Sequence, residues 1–204
     1  MKNFLLLFLI ITLTGCSLLN NEDPETEQVQ KVMSWEEHQK QLQALTTWSL
    51  TGKFAVFIGK ERQTANLHWQ QQQENYTIQL TSFIGTRILQ IKKNQNGVEI
   101  INNDGEIFTG ENATILIQEL SPGLNLPISA LQEWIKGNPS NATYQLNEQD
   151  QVINLIGQDI ENAFWSVNYQ QYQSFSGYQL PTKLNLTKND IRVKIAINQW
   201  NLSK

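Results

Sequence analysis

The chain contains one cysteine and two histidines, so few of its side chains could do nucleophilic or metal chemistry. Cys16 is the one whose surroundings indicate a reaction. Lys2 and an apolar run from Phe4 to Ile11 precede it, and Leu13-Thr14-Gly15 lead directly to it. A positive start, a short apolar run and small residues before a cleavage point are the parts of an export signal. We therefore expect residues 1–15 to be a signal peptide that is removed.

The sequence Leu13-Thr14-Gly15-Cys16 resembles a bacterial lipobox. In a lipobox the cysteine thiol receives a diacylglycerol, the peptide is cut before the cysteine, and the new amino terminus is acylated. The alternative is a secreted protein with a chance cysteine at the junction, but a secreted protein with one free thiol would be unusual. Ser17 follows the cysteine where an aspartate would indicate retention in the inner membrane. The sequence thus predicts a lipid anchor at Cys16 in the outer membrane, on its periplasmic side.

The other candidates for chemistry are weak. His38 lies in an amphipathic helical pattern and His68 alternates with apolar strand residues, so we interpret both as structural or surface side chains. The sequence has no Gly-x-Ser-x-Gly elbow, and no spacing of ligand residues typical of a metal site. We therefore expect neither an enzyme nor a cofactor or a metal.

The charge of the chain limits its partners. The formal net charge is −4 at pH 7, and removal of a leader that contains Lys2 makes it more negative. The basic residues are scattered along the sequence, whereas a nucleic-acid-binding protein needs a basic stripe. The same acidity argues against binding of anionic lipid surfaces by charge.

The elements that follow Cys16 begin with a tether. Residues 16–33 are polar, acidic and without periodicity, which is typical of a flexible segment. Ser34 and Glu37 then have the spacing of a capping box, and apolar residues recur at helical spacing as far as Leu45. We expect one helix from about Trp35 to Leu45 and a folded domain over residues 34–204.

After Trp48 the apolar period changes to two, which predicts half-buried antiparallel strands. Short turns, including Asn96-Gly97 and Asp104-Gly105, separate these strands. Two helices interrupt them, one over about Glu111–Leu120 and one from about Pro127 to Gly137. This order does not suit parallel crossovers, which need a helix after every strand. It predicts a mainly β fold with α: a single antiparallel, strongly curved, open (half) β-barrel of about 10–11 strands, with three short helices covering the concave face.

Tryptophan is the unusual component of the sequence, with residues in both strand sets and in two helices. The side chains could fill a large core. They could equally line a roomy apolar cavity, because large flat rings form a cavity wall with little loss of rotamer freedom. The pattern alone leaves both interpretations open.

An ordered set of motifs makes a family resemblance specific. The set covers nearly the whole domain, from Ser34 to Leu202, and consists of Trp35-x-x-His38, Leu45-x-x-Trp48-x-x-x-Gly52, Trp69-Gln70, Tyr76-x-Ile78-x-Leu80, Ile84-Gly85, Leu126-Pro127, Leu131-x-x-Trp134-x-x-Gly137-x-Pro139, Trp165-x-Val167-x-Tyr169-x-x-Tyr172, Leu180-Pro181 and Ile197-x-x-Trp200. Together with the lipobox, it resembles the LolB family of outer-membrane lipoprotein receptors.

The resemblance implies an open antiparallel barrel with a helical lid around a cavity for the acyl chains of other lipoproteins. Five side chains also have the inward phase of their strand or helix. For these the resemblance implies a place in the cavity wall: Trp48, Trp69, Leu80, Trp134 and Trp165. It also implies a soluble periplasmic carrier, LolA, as the donor of client lipoproteins, and a monomeric receptor.

The turn after Leu80 has a separate expected role. It places Phe83 and Ile84 directly before Gly85, so that a tight bend should push at least one of them outward. By resemblance, Ile84 aligns with a protruding leucine linked to insertion of lipoproteins into the membrane. The competing hypothesis for the whole chain is a structural or adaptor lipoprotein of an envelope assembly, with a filled core.

Overall fold

The computed structural model describes residues 33–121, 124–159 and 162–203. The predicted signal peptide, the lipid-attachment residue Cys16 and nearly all of the tether lie outside these residues. One compact unit runs from Val32 to Lys204. Its buried apolar side chains form one core cluster, so we expect it to fold by itself.

The first element is helix α1, Trp35–Ala44, which begins at the predicted capping box. The Ser34 side chain accepts a hydrogen bond from the backbone N–H of Glu37, and the Glu37 side chain accepts one from the backbone N–H of Ser34. The helix buries Trp35, His38 and Leu42, which lie on one face at helical spacing. The predicted helix is therefore confirmed to within one residue at its end.

Eleven strands form one antiparallel sheet among the described residues. They are β1 Thr47–Ile58, β2 Glu61–Gln72, β3 Asn75–Thr81, β4 Arg87–Asn94, β5 Gly97–Asn102, β6 Ile107–Gly110, β7 Thr143–Leu146, β8 Val152–Gln158, β9 Phe164–Phe175, β10 Tyr178–Lys188 and β11 Ile191–Leu202. Their spatial order is β6-β5-β4-β3-β2-β1-β11-β10-β9-β8-β7. Strands β6 and β7 are the two edges and do not pair, so the barrel is open, as predicted.

The sheet is strongly curved. Leu89 and Ile91 of β4 and Leu186 of β10 line the same small internal cavity. Five strand spacings separate β4 from β10, which in a flat sheet would be about 24 Å. Because these side chains meet around one cavity, the sheet must wrap around it.

Two further helices lie on the concave side. Helix α2, Ala113–Leu120, is capped by the side chain of Asn112 and packs against β5 and β6. Helix α3, Ile128–Trp134, contributes Ile128 and Leu131 to the same internal cavity as the sheet. The expected arrangement of three helices and a half-barrel is thus confirmed.

A buried lysine joins α1 to α3. The Nζ of Lys136 donates to the carbonyl oxygens of Leu42 and Leu45 at 2.9 and 3.1 Å, and to Oε1 of Glu133 at 2.9 Å. These carbonyls belong to the end of α1, where backbone acceptors lack helical partners. Burial lowers the pKa of Lys136, and the Glu133 carboxylate partly opposes this effect. The contact fixes the end of α1 against the turn that follows α3.

Candidate functional site

An apolar cavity of about 40 Å³ lies between the sheet and α3. Every side chain around it is apolar: Phe54, Leu67, Trp69, Ile78, Leu80, Leu89, Ile91, Leu126, Pro127, Ile128, Leu131, Leu186, Val193 and Ile195. By this measure of volume, the cavity has room for no more than a few water-sized groups. Its walls offer a ligand only apolar contact.

A larger pocket of about 310 Å³ adjoins this cavity. Four side chains line both spaces and separate them: Phe54, Leu80, Leu89 and Leu126. The pocket is also lined by apolar side chains of the helical side, Ile117, Leu120 and Leu124. Five polar side chains also line it: Gln63, Thr64, Asn102, Asn103 and Ser121. Movement of a few apolar side chains would therefore join the two spaces.

The lid over this region consists of α2 and residues 124–127. Its two parts are joined by a buried hydrogen bond of 2.8 Å, in which Oγ1 of Thr114 donates to the carbonyl oxygen of Leu126. Leu120 and Leu124 are only partly buried, although they pack against the core. The lid is thus internally linked, and it contacts the cavity region through apolar side chains.

Two of the five predicted wall residues line the cavity. Trp69 and Leu80 face it from β2 and β3. The indole N–H of Trp69 donates to Oε1 of Gln71 at 3.1 Å, and the Gln71 amide donates to the side chain of Gln132 at 3.0 Å. The indole N–H of Trp69 is therefore satisfied by a hydrogen bond within the protein.

The other three predicted residues are buried but line neither of these two spaces. Trp48 packs between Trp69 and Trp200, with ring centroids 5.4 and 5.2 Å apart. Trp134 packs against Gly157, where even a methyl group would collide with the indole. The indole N–H of Trp165 donates to Oδ2 of Asp159 at 3.1 Å. A role for any of the five in holding acyl chains remains a prediction.

The sequence analysis did not select several of the lining residues. Phe54 has the inward phase of β1, so alternation could have identified it. Leu89 has a weaker signal, because the neighbouring Ile88 is also apolar and the alternation does not show which of the two points inward. Leu126 lies in a loop, where no periodicity indicates the direction of a side chain. These residues lie together only because the sheet curves under the lid.

A buried tyrosine and a partly buried one, Tyr169 and Tyr172, fix α3 and β8 in place. The hydroxyl of Tyr169 donates to the carbonyl oxygen of Trp134 at 2.6 Å, and that of Tyr172 donates to the carbonyl oxygen of Val152 at 2.8 Å. Burial raises the pKa of both hydroxyls, and for Tyr169 the nearby Tyr172 adds to the increase. Both groups therefore stay protonated in the folded protein at pH values where an unfolded chain would ionise.

This predicts a loss of stability at high pH. Above about pH 10 the unfolded state releases the tyrosine protons and the folded state keeps them, so the free energy of unfolding falls by about 1.4 kcal/mol per pH unit per tyrosine. The stabilisation is present below pH 10 and disappears as the pH rises towards the folded-state pKa. Between pH 8 and 11, the free energy of unfolding measured with denaturant should fall by about 1.4 kcal/mol less for Tyr172→Phe than for the unmodified chain. An equal fall in both proteins would show that Tyr172 does not carry this effect.

The predicted insertion loop projects from the sheet between β3 and β4. Phe83 is 92% exposed and Ile84 is 73% exposed, so both side chains point outward. The loop is closed by hydrogen bonds from Ser82 N to Thr86 O at 2.8 Å and from Gly85 N to Ser82 O at 3.0 Å. Gly85 has a φ of +88°, which favours glycine. A tight turn thus presents two large apolar side chains to solvent.

The loop adjoins the larger pocket. Leu80 pairs with Leu89 near the ends of the two strands that the loop connects, and both residues line the pocket. Ile88, next to Leu89, also lines it and is itself partly exposed. The exposed apolar tip and the entrance to the apolar interior therefore lie at the same end of the sheet.

Two further observations concern the described residues alone. Within them, histidine, cysteine and acidic side chains form no group of three or more that could hold a metal ion. None of the helices within the described ranges has the length and apolar character needed to cross a membrane.

Comparisons with solved structures show the same fold at low sequence identity. A LolA superfamily protein from Nitrosomonas europaea matches with a TM-score of 0.55 and 7% identity, over 84% of this chain and 94% of that one. A DUF1329 family protein from Desulfovibrio piger matches with a TM-score of 0.54 and 6% identity, over 81% and 89% of the two chains.

Comparisons of the sequence with curated proteins find relatives of much higher identity. A protein of Psychromonas ingrahamii named outer-membrane lipoprotein LolB is 44% identical over all of this chain and 98% of its own length. A protein of the same name from Aeromonas salmonicida is 33% identical over 97% of this chain and 99% of its own. The family model for the outer membrane lipoprotein LolB matches residues 46–200. This chain therefore belongs to the LolB family of outer-membrane lipoproteins.

Proposed function

We propose that the protein accepts lipoproteins from a soluble periplasmic carrier, LolA, holds their acyl chains in its apolar interior, and inserts them into the outer membrane. The observation that carries this proposal is the apolar cavity and the adjoining, mainly apolar pocket beside the exposed Phe83 and Ile84. A lipid anchor at Cys16 would keep the domain at the periplasmic face of that membrane, with residues 17–33 as the tether.

The energetics of acyl chains explain why a receptor of this kind is needed. Three chains of about fifteen methylenes each, at about 0.8 kcal/mol per methylene, cost on the order of 30 kcal/mol to expose to water. Lipoproteins cannot diffuse freely across the periplasm at such a cost. They need a protein that covers the acyl chains at every stage of transfer, and the last stage must deliver the chains into the bilayer.

The cavity of about 40 Å³ is too small for an acyl chain, so acceptance requires the lid to move. The side chains between cavity and pocket make apolar contacts, which have little directionality. Opening the passage costs free energy, because these side chains lose their contacts with each other. An entering acyl chain would make new apolar contacts with the same side chains, which offsets part of that cost. The polar contact within the lid, between Thr114 and Leu126, can persist during this movement because both partners belong to the lid.

Transfer needs no nucleotide if the affinity for acyl chains increases from the carrier to the receptor and from the receptor to the bilayer. The receptor must hold acyl chains more tightly than the carrier does, and less tightly than the bilayer. The apolar walls favour binding of the chains, because they remove methylenes from water without a polar group to be desolvated. The exposed loop would hold the entrance of the cavity against the bilayer, so that the chains leave into lipid and not into water.

The test is transfer of a lipoprotein from purified carrier to the mature, lipidated protein in detergent-free vesicles. We expect the lipoprotein to leave the carrier and to appear first with this protein and then in the vesicle membrane. A carrier that keeps its cargo would favour the second candidate, an envelope adaptor with a filled core, with which the small volume of the closed cavity is also consistent.

A further inference from the structure

The basic residues that are scattered in the sequence converge on the outward face of the sheet. A groove of about 510 Å³ lies there, across β1, β2, β10 and β11. Four cationic side chains border it: Lys53, Arg62, Lys183 and Lys194. Small side chains such as Ala55, Thr64 and Ala196 form its floor, which is why this part of the face is concave.

Carboxylates are nearly absent from this part of the sheet. Strands β1, β2, β9, β10 and β11 contain a single acidic residue, Glu61, at the first position of β2. Among the described residues, none of the four cations that border the groove makes an ion pair. The groove is therefore strongly cationic, although the whole chain is acidic.

An aromatic ring extends the cationic region along the same face. The guanidinium carbons of Arg192 and Arg62 lie 4.4 and 5.4 Å from the ring centre of Phe57, and Nζ of Lys194 lies 5.8 Å from it. Three cations around one ring repel each other, and the ring offsets only part of this repulsion. An anion placed among them would relieve the remainder.

The groove is continuous with the exposed apolar loop. Ser82 and Phe83 form one of its borders. The side chain of Lys53 donates to Oδ1 of Asn66, and Nδ2 of Asn66 donates to the carbonyl oxygen of Ser82 at 2.7 Å. The loop is thus tied to the cationic face through Asn66, so that apolar tip and cations have a fixed relative position.

We infer that this groove binds the phosphate-bearing headgroups of anionic phospholipids while Phe83 and Ile84 enter the adjacent acyl layer. Charge complementarity argues for an anionic occupant, and continuity with the apolar loop argues for a bilayer. An acidic protein surface would satisfy the cations but would give no place to two exposed apolar side chains. The inference rests on the proposed function only for the orientation of the domain towards the outer membrane.

The sequence alone argued against binding to anionic lipids. Its net charge is negative and its basic residues are far apart along the chain, which predicted no attraction to anionic lipid surfaces. Antiparallel pairing brings them together, since Lys53 of β1 pairs with Ala196 of β11 and Lys183 of β10 pairs with the same residue from its other side. The local charge of a face, rather than the net charge of the chain, decides binding to a surface within a Debye length.

The test is flotation of the chain from residue 17 onward with vesicles of phosphatidylcholine, with or without 30% phosphatidylglycerol. Phosphatidylglycerol should increase binding, and the gain should be lost at high salt. Lys183→Gln/Lys194→Gln should reduce binding to the anionic vesicles by roughly tenfold to thirtyfold, at about fivefold per removed charge. Binding to pure phosphatidylcholine should change little.

The matched control is Lys40→Gln/Lys93→Gln, which changes the net charge equally but removes no residue that borders the groove. It should bind anionic vesicles nearly as well as the unmodified chain. Equal losses in both double variants, or no effect of phosphatidylglycerol on the unmodified chain, would overturn the inference. So would a Lys183→Gln/Lys194→Gln protein that binds vesicles normally but no longer associates with the carrier. Because no lipoprotein is present in the flotation, failure here leaves the proposed acceptance of acyl chains untouched.

Discussion

Ile84→Glu is expected to accept lipoproteins from the carrier at the normal rate and to insert them into membranes at least tenfold more slowly. Ile84 is 73% exposed at the tip of a closed turn, so the substitution removes no core contact. In the bilayer interface, the isoleucine gains roughly 1.5 to 3 kcal/mol by burial. A glutamate at this position gains nothing and must keep its charge in water, so the entrance of the cavity is no longer held at the membrane.

The control is Ile156→Glu, an exposed isoleucine on β8 near the other edge of the sheet. It changes charge and exposed apolar area in the same way, and it should leave insertion intact. Acceptance and insertion are measured separately, the first as transfer to the receptor in the absence of vesicles and the second as recovery of lipoprotein with floated vesicles. Normal insertion by Ile84→Glu, or a loss of acceptance instead, would contradict the assigned role of the loop.

Leu80→Gln is expected to weaken the binding of acyl chains by about tenfold and to lower the stability only modestly. Leu80 lines both the cavity and the pocket, and in the unliganded protein it is only half-buried. A side-chain amide in an apolar wall loses its hydrogen bonds to water when an acyl chain covers it, at a cost of about 1 to 3 kcal/mol. A cost near 1.4 kcal/mol corresponds to a factor of ten in the dissociation constant.

Leu202→Gln provides the comparison, because Leu202 is also a half-buried strand leucine packed against the core, yet it lines neither apolar space. Displacement of a fluorescent apolar probe by a fatty acid gives the affinity, and thermal unfolding gives the stability. The two variants should have similar melting temperatures and different affinities. Similar affinities would favour a filled core in which Leu80 only packs.

The architecture could largely be predicted from the sequence, because alternation and turn residues are local signals. In β9 and β10, apolar alternation marks only Trp165–Tyr169 and Leu184–Leu186, whereas the strands run Phe164–Phe175 and Tyr178–Lys188. The second half of β9, residues 170–175, is rich in glutamine and mostly exposed, so no apolar alternation marks it as a strand. Backbone pairing with its neighbour, around the turn at residues 176–177, extends the strand instead.

The site was less predictable than the fold. The exposed position of Phe83 and Ile84 followed from local turn geometry, although the sequence did not show that both would point outward. The cavity lining depends on which inward side chains meet under the lid, and this is set by the curvature of the sheet. The outward cationic groove depends on strand order, because its residues come from two hairpins, β1–β2 and β10–β11, that are far apart in the sequence and meet where β1 pairs with β11.

The most direct test of the proposed function is photocrosslinking of a lipoprotein that carries a diazirine near the end of an acyl chain. The lipoprotein is delivered from the carrier to the mature protein, irradiated before vesicles are added, and the modified residues are identified by mass spectrometry. We predict that the label is found on side chains that line the two apolar spaces, such as Leu80, Leu89 and Leu126. Label confined to the exposed surface, or absent from this protein altogether, would contradict the proposal that acyl chains enter its interior.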